Sequence, residues 1–450
     1  MATVRWLGTA TAVNQVSTAT PANVEIGDVF NLLVGGVTIA TFTATAATVA
    51  NVTAGLTTAW NASSHPYATG ITASDQTTHV ALTADSAGVP FTVTATATDG
   101  GGANTQTLTM ATTTANAGPN VWTTATNWSG GSVPVNSDVV IFENNAVPVF
   151  FGLDQNSVTL TELRILQSYT GEIGLPETKF LTSTTGNFAN YDASKTEYRE
   201  TYLKIGATLL NIGQSVGYVA QAGSPRIKVN VGSVQTTATI YDTCVSTSDA
   251  PLQPVRILGT HASNVVNVLR GTVGIATSLG SEVSTVATLN MRYVSGQETD
   301  ANVTMGKGVT WSTINKTGGT LAVNSVNTGG SGILNVAGAA TADVASGTMS
   351  VVECQGGTIT LNGGFAVTSI AAYGGTTYSN TSGTVTTIIL DNGGTVDMTG
   401  SSAARTVTNV SIMPGGGTLI ADMSNVSLAN GVLFDTSATA LVMKAVMTPQ

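Results

Sequence analysis

The chain has 450 residues, 42% of them hydrophobic and only 9% Asp, Glu, Lys or Arg, well under the roughly 25% charged content of ordinary soluble domains. That is not the charge-rich profile of disorder, and no run of about 18 apolar residues offers a membrane helix. A formal net charge of −10 with no basic stripe argues against nucleic acid as a partner, and two distant cysteines, Cys244 and Cys354, give no disulfide framework and read as buried free thiols.

Residues 1–8 hold Val4, Trp6 and Leu7 in a short strand. They lack a charged segment followed by an apolar one, so no secretion signal is expected there. Residues 9–20 form a Thr/Ala/Val run suited to a strand. Val24 to Phe30 and Leu32 to Phe42 flank Gly35-Gly36, a hairpin pattern. Val49, Val52, Leu56, Ala59 and Trp60 recur at helical spacing, which predicts a helix over 48–61 with Thr48 as its cap. Strand-like pieces follow at 79–83, 91–97 and 105–112, the last two separated by the turn Asp99-Gly100-Gly101-Gly102. Residues 9–116 therefore read as a small α+β module.

The next segment contains Trp122, Asn127-Trp128-Ser129-Gly130-Gly131, Val133-Pro134 and Asp138-Val139-Val140-Ile141-Phe142. This string resembles the N-terminal segment of pectate-lyase-like parallel β-helix proteins of phage virions and bacterial surfaces. In that family a first Trp lies on a short strand upstream of the Asn-Trp, and Trp6 is similar to it. The resemblance implies that Trp6, Trp122 and Trp128 cap the core, and that 9–116 is inserted in the cap. The module, with Ile26-Gly27-Asp28-Val29-Phe30 and Ala47-Thr48-Val49-Ala50-Asn51-Val52, resembles small α+β domains inserted in phage tail and virion proteins.

Residues 143–175 read as first coils, with strand pieces at 158–160 and 163–165. Residues 177–204 hold the densest charged and aromatic cluster, including Tyr191, Tyr198, Arg199 and Tyr202. It reads as a loop excursion: either it packs on its own flank, or its Tyr and Arg side chains make a subunit contact, since such anchors dominate interface centres.

Strand marks then recur at 205–206, 212–213, 227–231, 239–241, 255–258, 265–269 and 273–276. Further on, Gly-Thr corners close at Thr320, Thr358, Thr376, Thr395 and Thr418, which are 38, 18, 19 and 23 residues apart. A rung of about twenty residues with one mark missing accounts for them, and predicts a right-handed parallel β-helix solenoid. The expected organisation is a first strand at 1–8, the inserted module at 9–116, first coils and loop at 117–204, the β-helix at 205–439 and an apolar capping tail at 440–450.

Polysaccharide chemistry on such a fold needs carboxylates in register on neighbouring rungs. Asp391, Arg405 and Asp422 meet that spacing only loosely. Glu282, Arg292, Tyr293, Glu298 and Asp300, with Asp242 and Asp249 upstream, form the better enzyme candidate, and solvated loop charges explain them more simply. His65, His79 and His261 match no metal-ligand spacing. No catalytic, cofactor or metal site is therefore expected. The resemblance implies a non-enzymatic structural protein on the surface of a phage-like virion: a homotrimeric capsid decoration, fibre or tail-associated protein contacting other virion proteins. Two alternatives stand beside it. One is a host-recognition tailspike that binds or depolymerises surface polysaccharide; the other is an extracellular bacterial adhesin or layer protein.

Overall fold

The computed structural model describes residues 2–65, 68–102, 105–174, 202–214, 227–242, 254–276, 282–291, 301–324, 332–344 and 347–434. It is mainly β, with one α-helix among the described residues. Strand β1 (Thr3–Arg5) is followed by β2 (Val16–Ala22), β3 (Val29–Val34), β4 (Val37–Thr43), helix α1 (Val49–Asn61), β5 (Ile71–Asp75), β6 (Val80–Ala84), β7 (Thr94–Thr98) and β8 (Thr107–Thr114). The long parallel sheet then continues with β9 (Val139–Phe142), β10 (Asp154–Leu166) and β11 (Leu203–Gln214).

Strands β2 to β8 make two antiparallel sheets, ordered β5-β6-β2-β8 and β4-β3-β7. The hairpin turns at Gly35-Gly36 as its sequence requires. Its first strand begins at Val29 rather than Val24. The buried Asp28 carboxylate accepts the backbone N–H groups of Glu25 (2.7 Å) and Gly100 (3.0 Å), and so fixes a turn where alternation alone suggested a strand. Thr48 caps α1, accepting from the Asn51 N–H at 3.3 Å. The helix presents Val52, Leu56 and Trp60 to a core shared with Phe30, Leu32, Val80 and Leu82. That core is distinct from the one lining the parallel sheet. The segment's two ends meet at an antiparallel bridge between Val13 and Ala117, with the Val13 N–H 2.8 Å from the Ala117 carbonyl.

Strand β1 pairs in parallel with β9, and β9 with β10. Residues 158–160 and 163–165 belong to one strand, β10, with a register irregularity between Gln155 and Thr159. From β11 onward most strands pair with the next but one in sequence: Ile227–Asn230 with Val255–Leu258, Thr237–Ile240 with Val265–Val268, and so on to Arg405–Ile412 with Val426–Leu428. Pairing therefore runs along three lines. The first passes through Val266, Leu289, Ile314, Leu334, Val352, Ile370, Ile388 and Val410. All eight are buried, and this aliphatic stack is the core; each side chain contributes roughly 1.5–3 kcal/mol of burial. The second passes through Thr320, Ala339, Thr358, Thr376, Thr395 and Thr418. The third passes through Met349, Val367, Val385, Val407 and Leu428.

The second line explains the Gly-Thr corners. Successive partners lie 19, 19, 18, 19 and 23 residues apart, so the missing mark is Ala339, which follows Gly338 instead of a Gly-Gly pair. Gly357 and Gly375 sit at φ +82° and +83°, and a Cβ on either would lie under 3.0 Å from backbone of the preceding corner. Stacked corners at strand spacing leave no room for a side chain there.

Candidate interaction face

Along the first line, side chains alternate between core and exterior, as a pleated strand requires. The buried Leu289 and Ile314 have outward neighbours on either side. One outward column is Thr237, Val265, Thr288, Thr313, Ile333, Val351, Ser369, Thr387 and Asn409. The other is Thr239, Asn267, Asn290, Asn315, Asn335, Glu353, Ala371, Ile389 and Ser411. Glu353 is the one charge in either column. Most of these side chains are partly exposed.

Four asparagines of the second column form a ladder. Asn290 Nδ2 donates to Asn267 Oδ1 at 2.9 Å, Asn315 to Asn290 at 3.0 Å, and Asn335 to Asn315 at 3.0 Å. All three bonds point the same way along the stack. Each contributes on the order of 0.5–1 kcal/mol at such half-exposed sites. Sequence reasoning missed the ladder, yet its signal was present as a repeated apolar-Asn-apolar triplet: Val266-Asn267-Val268, Leu289-Asn290-Met291 and Leu334-Asn335-Val336. Its spacing varies from 20 to 25 residues, which hides the repeat until register is known. Upstream, Asn211 donates to Glu162 Oε1 at 2.7 Å, and Arg164 holds the same carboxylate through two bonds of 2.8 and 2.7 Å. Those guanidinium bonds, helped by Asn211, hold the Glu162 carboxyl below its ordinary range, and the carboxylate raises Arg164 in turn.

Against the neighbouring strand β9 lie the tryptophans singled out from the sequence. Trp6, Trp122 and Trp128 are all buried. Trp128 stands edge-on to both partners, with ring centroids 4.9 Å from Trp6 and 4.6 Å from Trp122. Trp128 Nε1 donates to the Trp122 carbonyl (2.7 Å) and Trp6 Nε1 to the Val147 carbonyl (2.9 Å). Asn127 is fully buried: its Oδ1 accepts the Ala10 N–H, and its Nδ2 lies 2.8 Å from the carbonyls of Gly118 and Val121. Asp138 accepts the Ala2 N–H at 2.8 Å and so ties down β1. Tyr169 packs below, 5.0 Å from Phe142 between ring centroids, and burial pushes its hydroxyl pKa up. Trp6, Asn127, Trp128 and Asp138 thus each serve a backbone group, while the buried Trp122 indole N–H has no hydrogen-bond partner among the described residues.

The remaining sequence candidates are dispersed. Tyr191, Tyr198 and Arg199 lie outside the described residues, as do Cys244, Asp249, Arg292, Tyr293, Glu298 and Asp300. Tyr202 is described and is buried in the main core. Cys354 is a buried free thiol. Asp242 is partly buried, 3.5 Å from the buried Arg270. Asp391, Arg405 and Asp422 do not form one cluster. Asp391 accepts the backbone N–H groups of Asn392 (2.8 Å) and Gly415 (2.9 Å). Asp422 accepts that of Ser424, which draws its pKa down. Arg405 is buried with its guanidinium on the carbonyls of Ser379 (2.7 Å), Thr381 (3.0 Å) and Met398, and burial lowers its pKa. Its head fills a rung whose inward residues are the small Thr377 and Ser379, both fully buried. Lys316 is likewise buried on an inward position, its Nζ 3.0 Å from the Ala337 carbonyl. Among the described residues no three His, Cys, Asp or Glu side chains gather as a metal site, and no helix is long and apolar enough to cross a membrane. Comparison with protein-family models, with curated proteins and with solved structures finds no match to this chain.

Proposed function

We propose that the chain is a non-enzymatic structural protein of a phage-like particle, built as a right-handed parallel β-helix with an α+β module inserted at 9–116. It acts as a homotrimeric surface component, a capsid decoration, fibre or tail-associated protein, and touches other particle proteins. The observation that carries the scaffold part of this reading is the parallel pairing that links the described strands between Val139 and Phe434, whose corners and outer columns hold many Gly, Thr and Asn. Stacked rungs of this kind suit a rigid rod whose stability grows with each repeat. The particle part rests on the Trp6, Trp122 and Asn127-Trp128 motif. The described acids support a structural reading, since Asp138, Asp391 and Asp422 hold backbone N–H groups in turns and at the first strand.

A polysaccharide-binding tailspike is the second reading. It is favoured by Tyr373 and Tyr378, exposed aromatic rings five residues apart on one rung. Mass spectrometry of purified particles from the source separates the two levels of the claim. The chain is expected among the particle proteins, and the purified chain is expected to release no reducing or unsaturated sugar ends from pectin, alginate or capsule. Absence from particles overturns the assignment. Sustained release of such ends, lost in Asp300→Asn or Glu298→Gln, replaces it with the enzymatic reading.

A further inference from the structure

We propose that the amide-lined outer face of the parallel sheet is the surface on which a second copy of this chain packs. The proposal rests on the oligomeric part of the reading above and names the face that part left open.

Three observations point to a second copy rather than to an unrelated partner. The first is charge. The molecule carries a net −10, yet from residue 237 to residue 411 the two outward columns hold Glu353 as their one ionised group. Two copies therefore meet on this face with little repulsion, whereas any strongly charged partner finds nothing to pair with. The second is repeat distance. Asn267 spends one oxygen lone pair on a neighbouring rung, Asn335 one N–H, and Asn290 and Asn315 one of each. An amide offers two donors and two acceptor lone pairs, so each of these four asparagines keeps further hydrogen-bonding capacity. These groups recur at the strand spacing of about 4.8 Å. A surface that matches such an array over many rungs must carry the same repeat, and a copy of this chain does.

The third is area. Nine rungs span roughly 38 Å at that spacing, and four residues of strand span roughly 13 Å, a flat footprint of about 500 Å². Doubled over two copies, that is about 1,000 Å², the lower bound for a specific interface. Val265, Ile333, Val351 and Ile389 supply apolar contact between the polar rungs.

The test uses the full chain at micromolar concentration, with sedimentation velocity for mass and circular dichroism for folding. Thr313→Glu with Val351→Glu places two like charges on the face of each copy. Thr310→Glu with Thr368→Glu places them on exposed positions of the adjacent line. The wild type and the Thr310/Thr368 variant are expected to be oligomeric, and the Thr313/Val351 variant monomeric with its β spectrum and melting temperature retained. An oligomer that survives in the Thr313/Val351 variant overturns the assignment of this face and leaves the oligomeric scaffold standing. A monomeric wild type removes both. If the Thr313/Val351 variant fails to fold, single Thr313→Cys and Thr310→Cys variants with a short bismaleimide decide instead. A cross-linked species from Thr313→Cys alone is the expected result; none, or one from Thr310→Cys alone, sinks the proposal.

Discussion

At the scale of single residues, polar side chains in this molecule serve neighbouring backbone or neighbouring rungs. Asn315 is both donor and acceptor in the ladder, whereas Asn335 stands at its end and only donates. Asn315→Ala should therefore cost about 1–2 kcal/mol and Asn335→Ala about half that, which urea melts of the two variants can rank. Equal losses would show that the ladder bonds are not what these side chains supply. Glu162 gives a pH signature. Its folded-state pKa lies below the unfolded value near 4.5, because Arg164 and Asn211 bind the carboxylate. The resulting stabilisation is complete above the unfolded value and is lost as pH falls through the lower folded one. Glu162→Gln should thus be less stable than the wild type at neutral pH, and the gap should narrow on acidification. A gap independent of pH between 6 and 3 would contradict the pairing.

At the scale of elements, the corners set the stacking. Gly375 combines φ +83° with backbone under 3.0 Å from any added Cβ, while Gly393 has φ +75° and open space around it. Substitution at Gly393 meets only the left-handed backbone penalty, about 1–2 kcal/mol. At Gly375 the neighbouring corner must also shift. Gly375→Ala is expected to lower the melting temperature clearly more than Gly393→Ala, as thermal unfolding followed at a β-sheet wavelength will report. Similar losses would mean that the corners are less tightly stacked than the register implies. The helix behaves differently: Thr48, Val52, Leu56 and Trp60 fix it from within its own sequence, with capping and one apolar face agreeing.

At the scale of the molecule, the two ends of the segment that holds the second core lie together. Val13 and Ala117 are bridged, and Asn127 clasps Ala10 from the β-sheet side. Excising residues 14–116 and joining Val13 to Ala117 through two glycines should leave the Trp6–Trp122–Trp128 cluster and the rungs intact, because the ends already lie together. A single cooperative transition in differential scanning calorimetry is the expected outcome. A chain that no longer unfolds cooperatively would make the antiparallel sheets part of the main core.

The sequence by itself determined whatever depends on local pattern. The helix and its cap, the Gly35-Gly36 hairpin, the strands at 255–258 and 265–268 and the roughly twenty-residue period all follow from propensity, turn chemistry and alternation within a few residues. Three tryptophans were legible as a group only through the resemblance their segments bear to parallel β-helix proteins, and their rings pack against one another. Only the tertiary structure decided which residues share a line. The asparagine ladder, the place of Ala339 among the threonines, and the inward turn of Lys316 and Arg405 depend on register between segments twenty or more residues apart. Register arises from the summed packing of whole rungs, and partner spacings that vary from 18 to 30 residues from β11 onward hide it from any single-chain periodicity.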